Sequence, residues 1–192
     1  MFQTLLAKLA RALDGAGIPY MVIGGQAVLV HGEPRLTRDI DVTLGVDSSA
    51  CARVLELGNS IGLSPSVRDV EQFVQKTNVL PFSDESAAIR VDLIFSFTPY
   101  EAQAIERATS HKLLDTPVRF ATAEDLVIHK LVAGRPRDLE DVRGVLVRQK
   151  HLDETYLNRW LPTFRDVVGR DLLQEFESIK ESLPGSLDAH RG

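Results

Sequence analysis

A single cysteine in 192 residues, Cys51, leaves no partner for an internal disulfide and excludes zinc sites built from several thiolates. That scarcity suits a reducing compartment, so the expected location is cytoplasmic. Long apolar runs are also missing. None approaches the roughly 20 residues that a membrane-spanning helix requires, and no membrane partner is expected. The N-terminus is apolar, but Lys8 and Arg11 interrupt it and no small-residue cleavage site follows. Phe2, Leu5, Leu6, Leu9 and Leu13 fall at helical spacing, which predicts an amphipathic helix over 2–14 in place of a signal peptide. Internal repeats and low-complexity linkers are absent. Positive charge is not in excess either: 22 Lys and Arg face 27 Asp and Glu, a net charge of −5, which argues against whole-molecule attraction to nucleic acid.

What remains is an ordinary globular composition, 44% hydrophobic and 26% charged, long enough for one large domain or a domain with a smaller helical extension. The charge is unevenly spread. Between 126 and 150, Lys130, Arg135, Arg137, Arg143, Arg148 and Lys150 face Asp138, Glu140 and Asp141. Either a surface for a polyanionic substrate or a solvated helix face accounts for that local excess.

Hydrophobic periodicity and turn residues predict the elements. A short strand over 20–23 ends at Gly24-Gly25, a helix over 26–31 follows, and a loop with Gly32 and Pro34 leads to a strand over 38–46. Asp47 and Ser48 close that strand and begin a helix over 49–62. Strands are expected over 73–82, ending in the turn Ser83-Asp84-Glu85-Ser86, and over 88–95. Thr98-Pro99 opens a helix, and 111–120 is a short extended segment broken by Pro117. Helices fill the remainder. One over 123–133 has a capping-box-like start at Thr122 and Asp125 and stops at Gly134. The next begins at Pro136 with Leu139, Val142 and Leu146 on its buried face. Tyr156, Leu157, Trp160, Leu161 and Phe164 mark another, the last covers 170–182, and the tail after Leu183 is expected to fray.

The chemistry is concentrated in two strands. Ile40, Val42, Leu44 and Val46 alternate with Asp39, Asp41 and Thr43, with Thr37 just ahead of them. Asp39 and Asp41 therefore share a face, with Cα atoms about 7 Å apart. Carboxylates that close repel unless a cation lies between them. On the second strand Val91, Leu93 and Phe95 form the apolar face, and Arg90 and Asp92 share the other. A buried carboxylate needs a cation, a hydrogen-bond network or water, and the candidates for Asp92 include Arg90, a more distant basic residue, and a cation shared with Asp39 and Asp41. Oxygen ligands of this kind suit Mg²⁺ or Mn²⁺. Gly24-Gly25 follows a strand and opens a helix, where bare backbone N–H groups cradle phosphate.

Taken together, Gly24-Gly25, Thr37-Arg38-Asp39-Ile40-Asp41 and Asp92 resemble the nucleotidyltransferase superfamily with the DNA polymerase β-like palm, and most of all its minimal and AbiEii toxin-like members. A second stretch, His129-Lys130 through Arg135, Arg137, Asp138 and Asp141, is similar to the helical Lys…Arg-x-x-Asp motif of that family. The resemblance covers roughly 20–148. It implies an α+β fold, a mixed sheet with helices on one face, as a core over 1–121 with a helical extension over 122–192. It also implies that Asp39, Asp41 and Asp92 bind Mg²⁺ or Mn²⁺ and carry catalysis, with Asp92 as base toward the attacking hydroxyl. Gly24, Gly25, Thr37, Arg38 and Lys130 would bind the NTP, with Arg35 a possible helper, while Asp138 has an equally simple role at a helix start.

The implied activity is Mg²⁺-dependent transfer of an NMP to a hydroxyl on RNA, protein or a small molecule. A cognate antitoxin or other partner protein follows from the toxin-like relatives. The alternative is a non-catalytic nucleotide-binding or antitoxin-type interaction protein that keeps the fold. The chain departs from the common pattern at Gly25, where many members carry a serine hydroxyl.

Overall fold

The computed structural model describes residues 2–84 and 88–183. Two compact units form, Met1–Ala27 with Leu36–Thr122, and Val28–Arg35 with Ala123–Gly192. The second unit thus takes a segment of the N-terminal half that a division at 121 and 122 assigns to the core. No helix among the described residues is long and apolar enough to cross a membrane.

In the first unit, helix α1 (Phe2–Gly15) buries Leu5, Leu6, Leu9, Ala10 and Leu13, the stripe its spacing predicts. Strand β1 (Tyr20–Ile23) is buried throughout. It runs directly into α2 (Gly24–His31), which starts two residues before the expected helix. Strand β2 (Asp39–Leu44) is shorter at both ends than predicted. Asp47 accepts a hydrogen bond from the Ser49 amide and caps a 3₁₀ turn over Ser48–Ala50, which passes into α3 (Cys51–Ser60). Strand β3 (Ser64–Pro65) is a two-residue edge that the sequence did not signal.

The expected strand over 73–82 is a correction. Its first half is helix α4 (Val70–Thr77), and only then does β4 (Val79–Asp84) begin. Val70, Phe73 and Val74 stand at i, i+3 and i+4, and Glu71 and Lys76 complement the helix dipole at its two ends. Asn78, left-handed at φ 54°, stops the helix. The expected turn contributes Ser83 and Asp84 to β4, while residues 85 and 86 lie outside the described residues, as does the tail from 184.

Strand β5 (Ile89–Phe95) alternates buried and accessible residues along its length. Helix α5 (Pro99–Arg107) has a full capping box between Thr98 and Glu101 with Pro99 in its first turn. The segment over 111–120 is a hairpin rather than one broken strand. Its strands are β6 (Thr109–Leu113) and β7 (Thr116–Phe120), turning at Leu114 with φ 55°. Pro117 lies three residues from Phe120, where β7 meets β1.

Among the described residues these seven strands make one mixed sheet in the order β3-β4-β5-β2-β1-β7-β6. The parallel pairs β2–β5 and β1–β7 sit among antiparallel neighbours. Ile40, Val42 and Leu44 on β2, and Val91, Leu93 and Phe95 on β5, are buried and hold the opposite faces of those strands in position.

The second unit is helical: α6 (Ala123–Ala133), α7 (Pro136–Arg148), α8 (Glu154–Trp160), a 3₁₀ turn at Leu161–Phe164, α9 (Arg165–Val168) and α10 (Leu172–Glu181). Its core joins Leu126, Ile128 and Leu131 with Val142, Val145, Leu157, Leu172 and Phe176. Gly134 ends α6 at φ 63°. Asp125, expected at a capping position, is fully buried and accepts a 2.7 Å hydrogen bond from the Tyr156 hydroxyl. The buried face of α7 differs from the apolar stripe expected. It carries Asp138, Asp141, Val142, Gly144 and Val145, and leaves Leu139 and Leu146 half-buried.

Candidate active site

The parallel register of β2 and β5 sets Asp41 directly beside Asp92, and Asp39 beside Arg90. Since Ile40, Val42, Val91 and Leu93 point to the core, these four polar side chains share the other face. Asp39 is exposed, while Asp41 and Asp92 are half-buried. Three carboxylates and one guanidinium leave a formal excess of two negative charges on this small patch of sheet.

Arg90 answers part of that charge. Its Nε donates to Asp92 Oδ1 at 3.0 Å, and its Nη2 lies 2.8 Å from Oδ2, a two-pronged grip on one carboxylate. The hydrogen bond and charge of Asp92 raise the Arg90 pKa above its ordinary value, with Asp39 and Asp41 adding to the effect against partial burial. Among the partners the sequence left open for Asp92, the structure shows the basic one, Arg90.

The donor set has the chemistry of a hard-cation site, with carboxylates from two hydrogen-bonded strands at matched register. Side-chain placement is a separate matter. As they stand, no three His, Cys, Asp or Glu side chains among the described residues are gathered closely enough to hold an ion. Asp92, with both oxygens on Arg90, is turned to the guanidinium.

The glycine pair stands against the same face. Gly24 has φ 61°, a left-handed conformation that side chains rarely adopt. A Cβ there would overlap the Asp41 carboxylate, coming within 2.9 Å of its Cγ. The Cβ missing from Gly25 would overlap the Thr37 hydroxyl and lie 2.7 Å from Thr37 Cβ. Gly25 therefore has a spatial reason: the room a serine side chain would need is taken by Thr37. Thr37 is half-buried, and Arg38 beside it is exposed.

Lys130 belongs to the second unit and is buried. Its ammonium lies 2.9 Å from Asp138 Oδ1 and 2.8 Å from Asp141 Oδ2. Arg35 grips Asp141 from its other side, at 2.7 and 2.8 Å, and Arg135 holds Asp138 at 2.7 Å. Burial opposes ionisation of both acids. Hydrogen bonds and charge from Lys130 and Arg135 at Asp138, and from Arg35 and Lys130 at Asp141, prevail and lower both pKa values. Lys130 is thus the centre of a chain of ion pairs, Arg35–Asp141–Lys130–Asp138–Arg135, that the sequence motif contained without revealing. A pair of acids spaced i, i+3 on a helix that also carries apolar residues was the available sign.

Seven strands in this order, with acids at matched positions of β2 and β5, define a nucleotidyltransferase fold. Residues 3–168 match the family described as "Nucleotidyltransferase of unknown function (DUF6036)", and the chain belongs to it. It is accordingly an enzyme of the nucleotidyltransferase class.

Among solved structures, the antibiotic-resistance factor ANT(2'')-Ia is similar at 16% identity and TM-score 0.58, over 92% of this chain and 96% of that one. An antigenic nucleotidyltransferase-like protein from Paracoccidioides brasiliensis gives 17%, a TM-score of 0.54, and coverage of 89% and 91%. The nucleotidyltransferase toxin MenT4 from Mycobacterium tuberculosis H37Rv gives 14%, 0.51, and coverage of 97% and 85%. At such identities the likeness is one of fold. No curated protein sequence matches the chain.

Proposed function

We propose that the chain transfers an NMP from an NTP to an acceptor hydroxyl, with Asp39, Asp41 and Asp92 as its catalytic acids. The supporting observation is the register that puts Asp41 beside Asp92 with Asp39 on the same face. These three would hold Mg²⁺ or Mn²⁺, which when bound supplies charge stabilisation at the phosphates. Asp92 is the base toward the acceptor hydroxyl once its carboxylate is released. Gly24 and Gly25 bring bare backbone to the start of α2, where N–H groups face a phosphate. The Thr37 hydroxyl, in the space beside Gly25, takes over the phosphate contact that a serine makes elsewhere. Arg38, exposed next to it, binds the outer phosphates.

Lys130 has a different task in this reading. Its charge is committed to Asp138 and Asp141, so it secures α6 to α7 instead of reaching a triphosphate. The acceptor is proposed to be RNA, protein or a small molecule, in the cytoplasm. The fold shared with a nucleotidyltransferase toxin supports a toxin–antitoxin role with a partner antitoxin.

The test is incubation of the chain with each α-³²P-NTP, Mg²⁺ and lysate, then fractionation into protein, RNA and small molecules. Label in one fraction is expected, and Asp39→Asn or Asp41→Asn should lower it at least a hundredfold with the melting temperature kept. Unchanged labelling in both variants refutes the assignment.

A further inference from the structure

The third carboxylate of the site comes with its own cation. Arg90 stands two residues before Asp92 on one strand face and binds both of its oxygens, while also being the register partner of Asp39. Its side chain is 62% exposed against 16% for Asp92, so the guanidinium can swing into water with little loss of solvation. The carboxylate is half-buried beside Asp41, where a positive neighbour is favourable. Arg90 is the cation within the chain that meets it, and a guanidinium gripping both oxygens leaves poor access for an ion.

Resting on the nucleotidyltransferase reading, we propose that Arg90 is a resident counter-cation: it keeps Asp92 out of the metal site until a divalent ion replaces it there. The protein thereby avoids an unbalanced cluster of three carboxylates between turnovers. The cost is a weaker hold on the metal, because each ion must first compete with the guanidinium.

Calorimetric titration of the full chain with MnCl₂, without nucleotide, tests this. Arg90→Ala should bind Mn²⁺ roughly three- to tenfold more tightly than the wild type, and Arg90→Lys, which keeps charge without the two-pronged grip, should fall between. In an Asp92→Asn background the gain from Arg90→Ala should vanish. A merely structural arginine would lower the melting temperature without tightening metal binding. If Arg90→Ala is poorly folded, Arg90→Lys carries the measurement.

Equal or weaker Mn²⁺ binding in both variants overturns the proposal, as does a gain that persists without Asp92. Failures of the two readings are distinguishable. If Mn²⁺ binding is lost in Asp39→Asn and Asp41→Asn while the Arg90 variants are silent, only the counter-cation idea falls. If no variant binds Mn²⁺, or the Asp39 and Asp41 variants bind normally, the active-site reading falls and takes this one with it.

Discussion

Substituting Gly24 by alanine strikes the point where backbone conformation and a catalytic carboxylate meet. Two costs add. An L-residue at φ 61° loses about 1–2 kcal/mol relative to glycine. The new Cβ would also lie 2.9 Å from Asp41 Cγ and 3.2 Å from Asp41 Cβ, where ordinary contacts begin at 3.4 Å. Moving the carboxylate off that spot adds about 1–3 kcal/mol, the usual cost of overpacking. The expected total is about 2–5 kcal/mol, and each kcal/mol lowers the melting temperature by about 2–4 °C in a protein of this size. Scanning calorimetry should therefore show a fall of roughly 4–20 °C.

Repeating the substitution in an Asp41→Ala background separates the two terms. Truncation removes the carboxylate and leaves only the milder 3.2 Å approach to the Cβ of residue 41, so Gly24→Ala should then cost little beyond the backbone part, about 1–2 kcal/mol. A cost below about 0.5 kcal/mol in the native background, or the same cost in both, refutes the collision with Asp41.

Other expectations follow from the second unit. Lys130→Met leaves Asp138 and Asp141 without a cation they share, and should destabilise by about 3–5 kcal/mol in chemical denaturation. Arg135→Ala removes an arginine that is 76% exposed and should cost under about 1 kcal/mol; equal losses in the two variants would contradict the burial argument. Acid should act on the same network. Both carboxyls have folded pKa values below the ordinary 3.8, so their contribution is present above that value and is lost as pH falls through the folded pKa. Denaturation midpoints should drop steeply below about pH 4, and an Asp138→Asn variant should show a shallower drop. An unchanged slope would exclude Asp138 from the acid response.

The strand faces were legible because β2 and β5 each alternate cleanly, and alternation assigns a residue to the core or to the site without any knowledge of neighbours. The sharing of one polar face by Asp39, Asp41 and Asp92 followed once the strands were taken as adjacent, but the register that sets Asp41 beside Asp92 did not. Helix α4 was misread because 73–82 was taken as one weakly alternating stretch, whereas Val70, ahead of it, joins Phe73 and Val74 at helical spacing. The buried acids of α7 were hidden for a different reason. Whether a carboxylate is buried depends on partners, and those of Asp141 lie 11 residues away at Lys130 and 106 away at Arg35. For Lys130, a motif records the residue type but not where its charge is directed. The reason for Gly25 was likewise out of reach, since it depends on the Thr37 side chain.

The make-up of the helical unit also bears on how the chain comes off the ribosome. Val28–Arg35 belongs to a unit whose other residues begin at Ala123. At elongation rates of about 5–20 residues per second, Arg35 emerges some 5–20 s before Asp141. Throughout that interval Arg35 is made but Asp141, the acid it grips in the folded chain, is not. A fragment ending at Thr122 would remain permanently in that state, and a fragment starting at Ala123 would carry Asp141 without Arg35. The protein is made of two units that cannot be cut apart with a single break, and the second unit completes at Asp141 a contact whose other member, Arg35, was made 106 residues earlier.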